Sequence, residues 1–141
     1  GVALSNSGHH VEAAQRYLEA RERFPIGSEY WARATALAFT MLVQEACAEV
    51  AKPEWWSDEE LKALSASVVQ VAPNEVHAHS MRGAVLCGLH HDWEVGHRSA
   101  AELEEAATHY DRAAALSTPP AAKAAYASHA ATVRSALAEA M

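Results

Sequence analysis

The chain has 141 residues, which is enough for one domain with a substantial core and too few for two ordinary domains. Half of the residues are hydrophobic but only 7% are aromatic, and alanine is the commonest hydrophobic residue, a composition that favours thin, closely packed helices. The formal charge is −7, because 18 acidic residues outnumber 11 lysines and arginines. A nucleic-acid-binding surface needs an excess of positive charge, so we expect no nucleic-acid partner.

The sequence predicts helices along its whole length. They comprise a short stub ending near Ser7 and helices over residues 9–24, 28–51, 57–72, 75–88, 99–117 and 119–140. Residues 61–72 and 103–114 carry the i, i+3, i+4, i+7 apolar pattern of a helix with one buried face. No segment alternates with period two, which excludes an obvious strand. We therefore predict an all-α fold, with His9 and His10 in a turn between two helices.

Helix-capping signals agree with these boundaries. Ser57 and Ser99 each begin an S-x-x-E capping box, in which the serine oxygen accepts a hydrogen bond from a free backbone N–H. Ser28, Asn74 and Thr118 are further predicted caps, with Pro119 in the first turn of the last helix. Trp56 and Leu61 have the spacing of a hydrophobic staple. This favours Trp55 and Trp56 as residues that fasten a loop, and exposed binding residues are the alternative.

The two cysteines and the absence of a long apolar segment indicate the cellular compartment in which we expect the protein. Cys47 and Cys87 each lie in an apolar helical segment, which predicts buried thiols in a reducing environment. No stretch approaches the 18 or so apolar residues of a membrane span, and the start does not look like a secretion signal. We expect a cytoplasmic protein without a membrane partner. Because Gly1 is not a methionine, the chain can be a piece of a longer protein.

A spaced pattern of small, aromatic and proline residues opens the chain. It reads G-x4-A-x3-Y-x2-A-x4-P, and a tryptophan follows six residues later, at the positions Gly8, Ala13, Tyr17, Ala20, Pro25 and Trp31. This pattern resembles the second half of a tetratricopeptide repeat followed by the start of the next. Part of it recurs at Ala106, Tyr110 and Ala113. The resemblance implies antiparallel helical hairpins stacked into a superhelix, in one domain over residues 1–141.

The chain also departs from that family. Ala34-Thr35 replaces the usual leucine-glycine, Ser65 replaces an aromatic, and Arg82 occupies a normally apolar position. The prolines Pro25 and Pro73 are 48 residues apart, against a family period of about 34 residues. A HEAT- or armadillo-like solenoid, whose repeats have about 40–47 residues, therefore remains the alternative fold.

The histidines are candidate metal ligands and catalysts. Adjacent histidines point in different directions, and a zinc site needs three or four converging ligands. A loop could gather His90, His91, Asp92 and His97, but no HExxH or CxxC pattern supports this. Cys87 and His91 are four residues apart, yet no oxyanion loop or third catalytic residue accompanies them. We therefore expect no metal, no cofactor and no enzymatic activity.

The tetratricopeptide resemblance implies a concave groove lined by the first helix of each unit. Transferred to this chain, the groove would be lined above all by Arg33, Ala36, Phe39, His77, Ser80, Met81, Ala84 and His129, with Glu29, Ala32 and Ala125 beside them. We predict a protein-interaction scaffold that binds an apolar or amphipathic segment of an unidentified protein. The alternatives are a histidine-dependent metal-binding or metal-sensing protein and an architectural segment of a larger protein. An exposed terminal hairpin could also pair with a second copy.

Overall fold

The computed structural model describes residues 2–43, 52–88, 93 and 95–140, and side chains within residues 10–43, 52–88, 93 and 95–139. These residues form six helices and no strand, so the all-α prediction is confirmed for them. The helices are α1 (Val2–Arg23), α2 (Glu29–Leu42), α3 (Asp58–Val71), α4 (Val76–Cys87), α5 (Ala100–Leu116) and α6 (Pro120–Ala140). None of them, as far as it is described, combines the length and the apolar character needed to cross a membrane.

The predicted break at Gly8 is wrong. Helix α1 continues from Val2 to Arg23, so His9 and His10 lie within a helix and not in a turn. One glycine inside a helix costs about 1 kcal/mol relative to alanine, which is too little to interrupt a helix that packing supports. That packing comes from Ala14, which is fully buried and forms a core cluster with Leu42 of α2.

Local capping defines most of the helix starts. The Oγ atoms of Ser28 and Ser57 accept from the backbone N–H groups of Trp31 and Glu60, at 3.2 and 3.3 Å. Ser99 forms the complete predicted box: its Oγ accepts from the backbone N–H of Glu102 at 3.1 Å, and the Glu102 carboxylate accepts from the backbone N–H of Ser99 at 3.0 Å. The caps at Ser28, Ser57 and Ser99 are confirmed, but of the two predicted capping boxes only the one at Ser99 is complete among the described residues.

Two predicted caps are wrong, and one predicted helix is only partly described. Helix α4 is preceded by Glu75, which makes no side-chain cap hydrogen bond, so Asn74 is not the cap. Before α6, the carbonyl of Pro119 accepts from the N–H of Lys123 at 3.1 Å, which places the cap one residue after Thr118. Helix α2 ends at Leu42, and the remainder of the predicted helix 28–51, including Cys47, lies outside the described residues apart from Val43.

The helices pack in serial order. Each described helix contacts the next one along the chain, and α2 also contacts α4. The main core cluster lies among α2, α3 and α4 and includes Trp31, Phe39, Leu61 and Met81. A second cluster, which includes Tyr110, joins α4, α5 and α6. This order fits a helical-repeat kind of fold, in which each helix is buried mainly by its neighbours.

Tryptophans fasten the segment between α2 and α3, as predicted for Trp55 and Trp56. The Trp56 ring lies 5.3 Å from Phe39, 5.7 Å from Trp55 and 5.8 Å from Trp93, measured between centroids. Both tryptophans are half-buried against the core. The contact with Trp93 was not predicted, because nothing in the local sequence shows which helix the 93–98 segment approaches.

Candidate functional site

The predicted groove residues fall into two groups in the structure. Arg33 and His129 are exposed, and His77 and Ser80 are half-buried. Four others are inside the protein: their exposed fractions are 0%, 2%, 0% and 3% for Ala36, Phe39, Met81 and Ala84, respectively. The predicted set therefore mixes residues of the core with residues of the surface. Helical spacing does not separate the two, because apolar residues at that spacing occur in both places.

A cleft nevertheless brings four of the predicted residues together. It has a volume of about 180 Å³ and opens between α2, α4, α5 and α6. Its lining residues are Phe39, Thr40, Val43, Ser80, Ala84, Tyr110, Tyr126 and His129. Phe39 and Ala84 are largely buried but still present an edge to this cleft, whereas Ala36 and Met81 do not line it.

A second hollow adjoins the cleft at Tyr126. Its volume is about 260 Å³, and it lies where the start of α4 meets the end of α5 and the start of α6. Its lining residues are Val76, His77, Leu116, Ser117, Thr118, Pro119, Ala122 and Tyr126. We use "the groove" for the cleft and this hollow together. A fifth predicted residue, His77, is therefore part of the groove.

The groove is apolar with neutral polar groups. Among the described residues that line it there is no aspartate, glutamate, lysine or arginine. Burial raises the pKa of Tyr110, whose side chain is 2% exposed, so its hydroxyl stays neutral at physiological pH. The Tyr110 ring packs against His129, with 5.2 Å between the centroids. The site can therefore hold apolar groups and make neutral hydrogen bonds.

His77 supplies a polar atom without a partner. Its Nδ1 is buried and makes no hydrogen bond to any described residue. Burial lowers the pKa of His77, and the nearby carboxylate of Glu75 offsets this only in part. The imidazole is therefore held in its neutral form at neutral pH. A neutral ring can donate to or accept from a bound group, depending on its tautomer.

Several groove residues were missed by the sequence reasoning. Tyr126 lines both hollows, and Tyr110 lines the first. Tyr126 and His129 are three residues apart, so they share one face of α6. An aromatic residue three positions before His129 was the signal that could have identified Tyr126. Ala125, which was predicted beside His129, is exposed and does not line the groove.

A larger hollow of about 640 Å³ lies beside the start of α3, with Asp58, Trp93 and Gly96 in its wall. The Asp58 carboxylate is already engaged in hydrogen bonds. Asp58 accepts from both Nη atoms of Arg98, from Trp93 Nε1 at 2.9 Å and from the Gly96 N–H at 3.1 Å. The Arg98 bonds hold the pKa of Asp58 well below its usual range. We assign this carboxylate a structural role, tying Trp93, Gly96 and Arg98 to α3.

The described residues contain no group of three or more His, Cys, Asp or Glu side chains positioned to hold one metal ion. His90, His91 and Asp92 lie outside the described residues. Cys87 is half-buried, with its Sγ 4.0 Å from the Tyr110 hydroxyl. His97 is exposed.

Comparisons of the chain with protein-family models, with curated proteins and with solved structures give no match. The groove is therefore interpreted from its own residues. Its lining is neutral and partly aromatic.

Proposed function

We propose that the chain is a protein-interaction module that binds an apolar or amphipathic helical segment of a partner protein in its groove. The observation that carries the proposal is the cleft between α2, α4, α5 and α6, in which Phe39, Ser80, Ala84 and His129 meet. These four positions are among the eight that the tetratricopeptide resemblance implies. The proposal includes no enzymatic role.

The division of the groove into two small hollows supports a peptide over a small-molecule substrate. Pockets for drug-sized ligands have volumes of about 300–1,000 Å³, and each hollow is smaller, at about 180 and 260 Å³. Each can take one or two apolar side chains. A helix that lays i, i+3 or i+4 anchors into successive hollows would use both, with Tyr126 between them.

The helices that form the cleft support a tetratricopeptide-like arrangement. Three alternate helices supply most of its lining, α2 through Thr40, α4 through Ser80 and α6 through His129, and α5 adds Tyr110. In the tetratricopeptide family, the first helix of each hairpin lines the concave face. We therefore propose that α2, α4 and α6 hold that place here, in a stack whose outer layer includes α1, α3 and α5.

The test is selection of helical peptides from a random displayed library against the whole chain, followed by fluorescence anisotropy with the selected peptide. Variants of Phe39 or Met81 are unsuitable, because these residues belong to the core. Ser80→Trp instead fills the cleft from a half-buried position, and Ser67→Trp is the matched control at an exposed position on α3.

We expect Ser80→Trp to weaken binding by at least about tenfold, equivalent to about 1.4 kcal/mol, and Ser67→Trp to leave it unchanged. Circular dichroism and the melting temperature establish that both variants fold. Equal affinity of the wild type and a folded Ser80→Trp variant would exclude the cleft as the binding site.

A further inference from the structure

Two histidines on neighbouring helices face each other away from the groove lining. His79 on α4 and His109 on α5 stack with 5.2 Å between ring centroids, and their Nδ1 atoms are 3.0 Å apart. The His79 residue is 6% exposed and the His109 side chain 17% exposed. A contact this short between two ring nitrogens requires one donor and one acceptor.

The outer nitrogens determine which ring donates. His79 Nε2 lies 2.7 Å from the carbonyl oxygen of Pro73, which can only accept, so this nitrogen carries a hydrogen. In a neutral His79 ring the Nδ1 atom is then bare and accepts. His109 must therefore carry a hydrogen on Nδ1 and donate it to His79. In a neutral His109 ring the Nε2 atom is then bare and makes no hydrogen bond to Glu105, whose carboxylate also only accepts; that bond forms when His109 takes up a proton.

We propose that His79 and His109 form a pH-sensitive clasp between α4 and α5. The clasp is closed while one proton lies between the two Nδ1 atoms, and it opens when both rings are protonated. With both rings charged, two N–H groups would point at each other across 3.0 Å. Neither could accept, and two positive charges would be in contact in a largely buried place.

The geometry of the two rings accommodates one additional proton but not two. His109 Nε2 lies 3.3 Å from Glu105 Oε2, so a single positive charge on His109 would have a partner. The same carboxylate oxygen accepts from Nε and Nη2 of Arg82 on α4, both at 3.3 Å. From α3, Lys62 Nζ is directed to Glu102, at 2.7 Å, and not to the clasp. Among the described residues, Glu105 and Arg82 are therefore the charged groups that act on His109 beside His79.

The clasp therefore opens as the pH falls. Burial lowers the pKa of His109, the hydrogen bond with Glu105 raises it in part, and positive charge on His79 lowers it again. The state with both rings charged is therefore reached only below the pH at which an exposed histidine titrates, and the hydrogen bond between the two rings is lost with it.

The direct test is nitrogen-15 NMR of the imidazole rings of the whole chain at about pH 7.5. We expect His79 to carry a proton on Nε2 and His109 to carry one on Nδ1, the less common tautomer of a free histidine. Finding both Nδ1 atoms bare, or both protonated, would overturn the proposal.

The second test compares backbone hydrogen exchange in α4 and α5 at about pH 7.5 and about pH 5, corrected for intrinsic exchange rates. In the wild type we expect exchange beside the clasp to be at least about tenfold faster at the lower pH. His109→Asn should lose this response, because an amide can turn its nitrogen or its oxygen toward His79 and does not titrate.

His97→Asn, at an exposed histidine, is the control that should keep the response. An unchanged exchange rate in the wild type at the two pH values would contradict the clasp. Both readouts in the wild type remain available if His109→Asn fails to fold, and neither depends on ligand binding in the groove.

Discussion

At the scale of single residues, departures from the repeat pattern come with arginine partners. Ser65 is fully buried, and its Oγ accepts from Arg82 Nη1 at 3.0 Å. Thr35 is also fully buried, and its Oγ1 accepts from Arg21 Nε at 2.8 Å. A small hydroxyl residue leaves room for an arginine and gives it an acceptor. Neither pairing could be predicted from sequence, because the partners lie 17 and 14 residues apart with no local signal.

The contact between Thr35 and Arg21 gives a residue-scale prediction. Thr35→Val keeps the shape of the side chain and removes the acceptor, so Arg21, whose side chain is 15% exposed, loses a hydrogen bond in a mostly buried place. We expect the free energy of unfolding to fall by about 1.5–3 kcal/mol, the range for a hydrogen bond to a charged group. Urea unfolding followed by circular dichroism measures it.

Thr108→Val is the matched control for this variant. Thr108 makes the same kind of bond to the carbonyl four residues earlier, at 3.0 Å, but is exposed and has no arginine among its described partners. We expect a change below about 0.5 kcal/mol. Similar losses in both variants would show that Arg21 contributes nothing through Thr35.

At the scale of helices, the starts were predicted best where the signal is local. The serine caps at Ser57 and Ser99 depend on residues within one turn, so the sequence contains the whole cause. The prediction of Asn74 as a cap is wrong because the position of the cap depends on where the chain enters α4. The groove was predicted only in part. Helical spacing places Ser80 and His129 on one face of their helices, but the rotation of each helix decides which neighbours, such as Tyr110, join them.

The end of α4 gives the prediction at this scale. Gly88 closes the helix with a φ of 64°, and a Cβ added there would lie 2.6 Å from Val95 Cγ1. Gly88→Ala therefore combines left-handed backbone strain with a steric clash. We expect a loss of about 2–5 kcal/mol in the free energy of unfolding, from about 1–2 for the strain and 1–3 for overpacking.

Gly27→Ala separates the two causes. Gly27 has a φ of 88°, and an added Cβ there would have no atom within 4 Å among the described residues, so strain alone remains. We expect Gly27→Ala to cost about 1–2 kcal/mol, less than Gly88→Ala. Equal losses, measured by thermal unfolding of both variants, would mean that Val95 moves aside without cost.

At the scale of the whole molecule, polar contacts between helices supplement the serial packing. Lys62 on α3 reaches Glu102 on α5 at 2.7 Å. Arg82 on α4 reaches the carbonyl of Lys62 at 2.7 Å and the carboxylate of Glu105 on α5 at 3.3 Å. These bonds tie α3, α4 and α5 together along one side. The sequence shows the charges but not these pairings, because each joins residues on different helices.

The pair formed by Lys62 and Glu102 makes stability depend on acidity. The hydrogen bond from Lys62 and that from the Ser99 N–H lower the pKa of Glu102 to about 2 from an ordinary 4.5. A depressed carboxylate pKa adds stability above the unfolded-state value, and this is lost as the pH falls from about 4.5 toward 2. Lys62→Met should therefore flatten the pH dependence of unfolding in that range.

Chemical denaturation at several pH values measures this dependence, and Lys123→Met is the control. Lys123 is exposed and bonds only a backbone carbonyl among the described residues, that of Ala114 at 3.1 Å. Its removal should leave the acid slope of the wild type intact. The same slope for the wild type and the Lys62→Met variant would show that this pair does not link α3 to α5 in solution.

The most direct test of the proposed groove is NMR chemical-shift mapping with a library-selected helical peptide. The account predicts perturbations at Thr40, Ser80, Tyr126 and His129, which line the cleft from three helices. Perturbations confined instead to the exposed apolar residues Phe24, Ile26 and Tyr30, at the bend between α1 and α2, would contradict it.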